Sequence, residues 1–251
     1  MLSEWKLAMA DAVYDEIGDK FEIAVNNTSE RLVEINTFQK MVQNVSNKYV
    51  LDLACGSGFF SQLLIQMNAK KVVGVDISSE MIRLAREENK NTDRLSFEVY
   101  DILDMPNLGL FDMVTAVWLL CYAKDKKLLT TMFSKIFDSL KENGVFIGYT
   151  SNPNFRMSIS NFTKYGLTIT SETPIPGGLL CDAQFATTPP IPFQFYRLSR
   201  EVYEAAARKA GFRNIQWVTP LIPQTAIEFY GNDYWNDYRE NCDQIGIICR
   251  K

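Results

Sequence analysis

The chain has 251 residues, of which 26 are Lys or Arg, 30 are Asp or Glu and none is His. This length indicates one large α/β domain rather than two independent ones, and a hydrophobic content of 47% is enough to bury a core. The net charge of −4 disfavours a protein that binds nucleic acid by neutralising phosphates. Without histidine there is no Ser-His-Asp or Cys-His pair, no His-ligated zinc and no imidazole base. We therefore expect no metal, and chemistry based on carboxylates, phenols, amides, thiols or a cofactor.

The cysteines are odd in number and form no C-x-x-C pair; they are Cys55, Cys121, Cys181, Cys242 and Cys249. The N-terminus shows no secretory signal pattern, and no apolar run approaches the ~20 residues that cross a bilayer. These features predict a soluble cytoplasmic protein with reduced thiols and no membrane segment. They leave the oligomeric state open.

The first 46 residues are predicted to be helical and to form a lid. Five apolar residues recur at steps of three and four behind a potential helix cap at residues 27–30: Leu32, Ile35, Phe38, Val42 and Val45. Residues 47–150 then alternate between continuous apolar runs and helical patterns. Apolar runs that predict buried strands lie at 49–54, 71–75, 95–100, 111–118 and 145–150, and helical patterns lie at 59–67, 79–89 and 125–141. This alternation predicts a Rossmann-like, doubly wound and mostly parallel sheet of seven strands.

Residues 151–198 interrupt this alternation with prolines, glycines and aromatic residues. They predict an inserted antiparallel cap over the substrate, with short strands at 167–172 and 179–185. Residues 199–251 complete the sheet with a helix at 199–210 and strands at 215–219 and 244–249. The whole chain is therefore expected to be a single domain made of a lid, a core, a cap insertion and C-terminal elements.

A glycine loop between the first strand and helix carries the clearest chemical signal. The strand ends in Asp52, and Gly56 and Gly58 open directly into the helix. The second strand ends in Asp76 and the third in Asp101, so we expect three acids along one edge of the sheet. An acid at the tip of the second strand can accept both hydroxyl hydrogens of a ribose.

A dinucleotide site, as in an NAD-dependent oxidoreductase, is the competing interpretation. That site needs a third glycine where this chain has Ser61, and it needs room for a pyrophosphate where this chain has Phe59 and Phe60. Because the acid Asp52 would repel phosphates, the loop favours a ligand that carries ammonium and sulfonium cations.

On the motif D-x-x-x-G-x-G at residues 52–58, the chain resembles the class I S-adenosylmethionine-dependent methyltransferases. The resemblance implies S-adenosylmethionine as cofactor and S-adenosylhomocysteine as product. It also implies that Asp76 holds the ribose and that Val117 and Trp118 face the transferred methyl group. Residues 13–21 resemble the Y-D-x-x-A-x-x-Y/F lid of small-molecule methyltransferases, with Tyr14 over the sulfonium. The complete predicted cofactor set is Tyr14, Phe21, Asp52, Ala54, Gly56, Gly58, Asp76, Ile77, Met81, Asp101, Ile102 and Val117.

For the substrate, the expected contacts are Trp118, Tyr122, Phe185, Phe195 and Tyr196, with Tyr14 and Trp118 as positioning candidates. Residues 111–123 and 229–235 resemble the toxoflavin synthase type of N-methyltransferases, which methylate an azapteridine. Methyl transfer is an in-line displacement that mainly needs alignment, and no histidine is present to activate a phenol. We therefore expect N-methylation of a small planar heterocycle, with no nucleic acid or membrane as partner. The alternatives are an O-methyltransferase of a small carboxylic acid or phenol, and a non-catalytic cofactor-binding subunit.

Overall fold

The computed structural model describes residues 28–90 and 92–251. Their main feature is a seven-stranded sheet. Its strands are β1 (Tyr49–Leu53), β2 (Lys71–Asp76), β3 (Leu95–Val99), β4 (Phe111–Val117), β5 (Leu140–Ser151), β9 (Asn214–Val218) and β10 (Gln244–Arg250). They lie in the order β3-β2-β1-β4-β5-β10-β9, and all paired strands are parallel except β10, which is antiparallel to both of its neighbours. The predicted fold class is confirmed.

Helices cover both faces of this sheet. They are α1 (Ser29–Val42), α2 (Phe59–Gln66), α3 (Ser79–Glu88), α4 (Lys126–Asp138) and α5 (Arg200–Ala210), with two short helices α6 (Gln224–Tyr230) and α7 (Asn236–Glu240) before β10. Side chains alternate along β4, so that Val114 packs on the α4–α5 side and Met113 on the α1–α2 side. This double burial explains why the strand sequences are continuously apolar.

The cap is a separate antiparallel sheet of three strands: β6 (Leu167–Ile175), β7 (Gly178–Phe185) and β8 (Ile191–Leu198). Two strands were predicted. The third was missed because prolines at 189, 190 and 192 indicate a loop in the sequence, whereas Pro192 lies on an edge strand, where a missing N–H is tolerated. The cap shares an aromatic core with residues near α7, including Tyr165, Trp235 and Tyr238.

Other predicted details differ from the structure. Leu32 was expected on the buried face of α1 but is 41% exposed, while the buried face includes Arg31 and Glu34. Thr28 occupies the N-cap position of α1, but its side chain makes no capping hydrogen bond. The helix α4 ends at Asp138, before the end of the helical pattern predicted at 125–141, and β5 already begins at Leu140. Among the described helices, none is long and apolar enough to cross a membrane.

Candidate active site

One cavity runs along the carboxyl edge of the large sheet, from the tips of β2 and β3 to the cap. The glycine loop forms its middle, and α1 and the start of β10 close it near the cap. Twelve predicted site residues line this cavity: Ala54, Gly56, Asp76, Ile77, Met81, Asp101, Ile102, Val117, Trp118, Tyr122, Phe185 and Phe195. Tyr14 and Phe21 lie outside the described residues.

The glycine loop is shaped by left-handed backbone angles. Ala54, Gly56 and Gly58 have φ of 53°, 54° and 89°. Gly58 does not line the cavity. It is the N-cap of α2, and a Cβ placed on it would lie 2.7 Å from Cζ of Phe97. Glycine at this position therefore serves the turn rather than direct ligand contact.

The tip of β2 is joined to the glycine loop. One carboxylate oxygen of Asp76 accepts the Gly56 N–H at 2.9 Å, and the other accepts the Ser78 N–H at 2.9 Å. At the tip of β3, Asp101 accepts the Leu103 N–H at 2.8 Å. Both carboxylates are thus held in place by main-chain donors, and a carboxylate can accept several donors at once, as a ribose with two hydroxyls requires.

The prediction that three acids lie along one edge of the sheet is wrong for Asp52. Asp52 is 1% exposed and does not line the cavity. Strand alternation points it towards α2, where it accepts hydroxyl hydrogens from Ser61 at 2.6 Å and Thr115 at 2.7 Å. Burial raises the pKa of the Asp52 carboxyl to about 6, against the lowering effect of the two hydroxyl donors. Asp52 therefore anchors β1 to α2 and β4.

Trp118 follows β4 with φ of 65°, an unusual angle for a bulky residue. Its main-chain N–H donates to the carbonyl of Tyr149 at 2.8 Å, and its ring packs edge-on against the Tyr149 ring at 5.7 Å. Its indole N–H donates to the Glu34 carboxylate. These contacts fix the indole where the glycine loop meets the cap.

Aromatic rings from the cap form the opposite wall. Phe185 and Phe193 stack with centroids 4.5 Å apart, and Phe193 and Phe195 lie 6.0 Å apart. Phe193 and Phe195 share one face of β8. Tyr196 was predicted to contact the substrate, but it does not line the cavity because the two-residue period of a strand turns it to the other face.

The sequence analysis missed a group of carboxyls at the cap end, formed by the partly buried Glu30 and the buried Glu34 and Asp243 and named the acid cluster here. All three residues line the cavity, and so does Arg31. The Arg31 guanidinium forms a salt bridge with the Glu34 carboxylate at 2.6 Å and lies 4.2 Å from the centroid of the Phe59 ring. Desolvation by burial raises the pKa of Asp243 to about 7 and that of Glu30 well above its usual value. Charged residues on α1 look like a solvated face in the sequence, and Asp243 lies in a polar segment, so no local signal indicated the cluster.

Comparison with known proteins decides the family. A model of the methyltransferase domain matches residues 44–208, more than half of the chain. The chain belongs to this methyltransferase family. Its cofactor is S-adenosylmethionine, and the prediction of a class I S-adenosylmethionine-dependent enzyme is confirmed. The NAD-dependent alternative is thereby set aside.

Solved structures of similar fold cover most of this methyltransferase. One is a putative S-adenosylmethionine-dependent methyltransferase from Listeria monocytogenes, with a TM-score of 0.64 and 20% identity over 87% of this chain and 96% of that one. Another is the N-methyltransferase NodS from Bradyrhizobium japonicum with S-adenosylhomocysteine, with a TM-score of 0.53 and 16% identity over 88% and 86% of the two chains. At these identities the likeness concerns the fold.

Curated relatives match over shorter stretches. A probable fatty acid methyltransferase from Pseudomonas putida is 28% identical over 104 residues, which are 40% of this methyltransferase and 26% of the relative. Others are a tRNA U34 carboxymethyltransferase from Campylobacter lari and a ribosomal protein L11 methyltransferase from Alkaliphilus metalliredigens. The chain spans less than half the length of each. The relatives therefore differ in substrate class and do not select one for this chain.

Proposed function

We propose that the protein transfers a methyl group from S-adenosylmethionine to a nitrogen of a small, planar heterocyclic substrate. The observation that carries this proposal is the continuity of the cavity between two unlike ends. One end has the glycine loop with Asp76, and the other has the stacked rings of the cap. Trp118, held at an unusual backbone angle, lies at their junction.

The residues of the first end suit the cofactor. Asp76 and Asp101 offer acceptors for ribose and adenine, and Ile77 and Met81 offer apolar contact for the adenine ring. Arg31 is the one cation among the described residues that line the cavity, and its Nε has no hydrogen-bond partner within the described chain. We therefore assign Arg31 to the methionyl carboxylate. When bound, the cofactor supplies an activated methyl group on a sulfonium.

The second end suits a flat aromatic ring. Phe185, Phe193 and Phe195 contribute aromatic rings, and Trp118 contributes a fixed indole where the glycine loop meets the cap. Aromatic walls favour planar ligands because rings stack at 4.5–7 Å. Positioning, together with exclusion of water, is what these residues contribute to the reaction.

The charge of the acid cluster and of the whole chain argues against two other substrate classes. A carboxylic acid substrate would bring a further negative charge beside Glu30, Glu34 and Asp243, so O-methylation of a small acid is disfavoured. A tRNA substrate is disfavoured by the net charge of −4. Azapteridines of the toxoflavin type are compatible with the aromatic wall and are one example of the proposed substrate class.

The proposal is tested by incubating the purified protein with isotope-labelled S-adenosylmethionine and separate substrate pools. The pools contain nitrogen heterocycles, phenols, small carboxylic acids, unmodified tRNA and ribosomal protein, and labelled product is measured by mass spectrometry. We expect label in the heterocycle pool, and we expect Phe193→Ala to reduce it while exposed Phe229→Ala leaves it unchanged. Label confined to phenols, tRNA or ribosomal protein would contradict the proposal.

A further inference from the structure

The acid cluster holds more negative charge than its surroundings neutralise. Arg31 is paired with Glu34, and the other buried cation near Asp243, Arg197, is paired with Glu172. Two carboxyls, Glu30 and Asp243, are left without an ion-pair partner in the described chain. Burial of ionised groups in this way is unfavourable unless they gain a partner.

Both residues with an unpaired carboxylate oxygen line the cavity. Asp243 is 4% exposed, lines the cavity, and its Oδ1 has no hydrogen-bond partner among the described residues. Glu30 is in the same situation through Oε2. Buried polar atoms of native proteins are nearly always bonded, so two orphan acceptors on one cavity wall point to donors that arrive with a ligand.

The position of the cluster separates it from the adenosine end of the cavity. Asp243 immediately precedes β10, three strands from β1 in the sheet and on the side opposite β2 and β3. Adjacent strands are about 4.8 Å apart, so Asp243 lies on the order of 14 Å from the tip of β1 across the sheet. Glu34, bonded to the indole of Trp118 at the tip of β4, connects the cluster to the centre of the cavity.

The cofactor cannot neutralise the whole cluster. It carries a sulfonium, an ammonium and a carboxylate, and so brings a net charge of one. The cluster and Arg31 together carry two excess negative charges when all three carboxyls are ionised. Burial is the main cause that raises the pKa of Glu30 and of Asp243, and the neighbouring carboxyls of the cluster raise both pKa values further.

We infer that Glu30, Glu34 and Asp243 form the binding site for a protonated nitrogen, so that the substrate is a basic aromatic amine or heterocycle that enters as a cation. This inference rests on the proposed function and narrows its substrate class. The protonated nitrogen keeps its proton and anchors the substrate at the cap end. The methyl acceptor is then a different nitrogen of the same substrate, nearer to Trp118.

A metal ion is a poorer occupant than an ammonium. In the part of the chain that the structure describes, no three His, Cys, Asp or Glu side chains converge in a way that could hold a metal ion. The neighbouring wall is made of Phe185, Phe193, Phe195 and Trp118, which suits an organic cation because aromatic faces attract cations.

The test uses matched pairs of an amine and its neutral alcohol: benzylamine with benzyl alcohol, phenethylamine with 2-phenylethanol, and tryptamine with tryptophol. Binding to the full chain is measured by calorimetry at pH 7.5, with and without saturating S-adenosylhomocysteine. We expect at least one amine to bind about 10-fold or more tightly than its alcohol, as a charge-assisted hydrogen bond would provide. Asp243→Asn and Glu30→Gln should each reduce that preference, while exposed Asp138→Asn, with the same change in charge, keeps it.

Two results overturn the inference. One is equal affinity of amines and alcohols for the wild-type protein, including no binding of either. The other is a loss of S-adenosylmethionine or S-adenosylhomocysteine affinity in Asp243→Asn as large as the loss of amine affinity, which would assign the cluster to the cofactor. Failure of the proposed function has a different signature, because label from S-adenosylmethionine would then appear only in phenols, tRNA or ribosomal protein while the preference for amines in the binding assay would persist.

Discussion

Two residues other than glycine adopt left-handed backbone angles beside the cavity. They are Ala54 in the glycine loop and Trp118 after β4. Such angles cost roughly 1–2 kcal/mol for a residue with a Cβ, and they persist because neighbouring contacts hold them. At Trp118 these contacts are the hydrogen bonds to Tyr149 and Glu34. The cost is concentrated where two halves of the cavity meet, which is where precise placement of a ring has the most effect.

The first prediction at the residue scale concerns the Asp76 carboxylate and its role in cofactor binding. We expect Asp76→Ala to weaken S-adenosylhomocysteine binding by ~1–3 kcal/mol, because charge-assisted hydrogen bonds to the ribose are lost. Asp76→Asn should lose less, since an amide oxygen can still accept the Gly56 N–H. Calorimetric titration measures both, with exposed Asp104→Ala as control. An unchanged dissociation constant in Asp76→Ala would remove this residue from the ribose role.

At the scale of elements, α1 connects the large sheet to the cap. Its apolar residues Phe38 and Met41 pack against the sheet, while its first turn meets the loop that leads into β6. Ser29 also hydrogen-bonds the Tyr234 hydroxyl at 2.8 Å. The carboxyls of the acid cluster come from this helix and from the start of β10. Their mutual distance therefore depends on how α1 is seated.

The close contact between Gly166 and the start of α1 allows the position of this helix to be tested. Gly166 has φ of 121°, and a Cβ placed on it would lie 2.2 Å from Cγ2 of Thr28 at the start of α1. We expect Gly166→Ala to lower the free energy of unfolding by about 1–3 kcal/mol, through overpacking and backbone strain. Adding Thr28→Gly removes the atoms that clash, so the double variant should be more stable than the sum of the two single changes. Urea unfolding measures the coupling, and strict additivity would contradict this packing.

At the scale of the whole molecule, buried carboxyls make stability depend on pH. The pKa of Asp243 is raised to about 7, so the folded state binds a proton that the unfolded chain releases near pH 4. The stability that this proton provides is complete below about pH 4 and is lost as the pH rises through about 7. Asp52, with a pKa of about 6, acts in the same direction.

Asp243→Asn isolates this effect. The amide does not ionise, so we expect the variant to gain stability relative to wild type between pH 5 and pH 8, by on the order of 2–4 kcal/mol. Urea unfolding at pH 5, 6, 7 and 8 measures the difference, which includes the effect of the lost Asp243 charge on the pKa of Glu30. Asp138→Asn, on the surface, should follow the wild-type slope. Parallel slopes for Asp243→Asn and wild type would contradict a raised pKa at this position.

The parts of the fold that were predictable depend on local signals. The strands from β1 to β5 and the glycine loop are recognisable because buried runs and turn residues are adjacent in sequence. The strand β8 was missed because its prolines mask it, and Tyr196 was misassigned because its strand was not recognised. The acid cluster was not predictable, since Glu34 and Asp243 come together only through the packing of α1 near the start of β10.

The strand β10 and the segment before it come last in the chain but complete the cap end of the cavity, and this affects the order in which the site forms during synthesis. Ser29 and Tyr234, which bond each other near the cavity, are 205 positions apart in the chain. At a translation rate of 5–20 residues per second, the second partner leaves the ribosome on the order of 10–40 s after the first. The glycine loop and its five parallel strands emerge within that interval. A nascent chain thus has the residues of the β2–β3 end of the cavity well before Asp243 arrives, and it gains the complete cap end only in the last stage of synthesis.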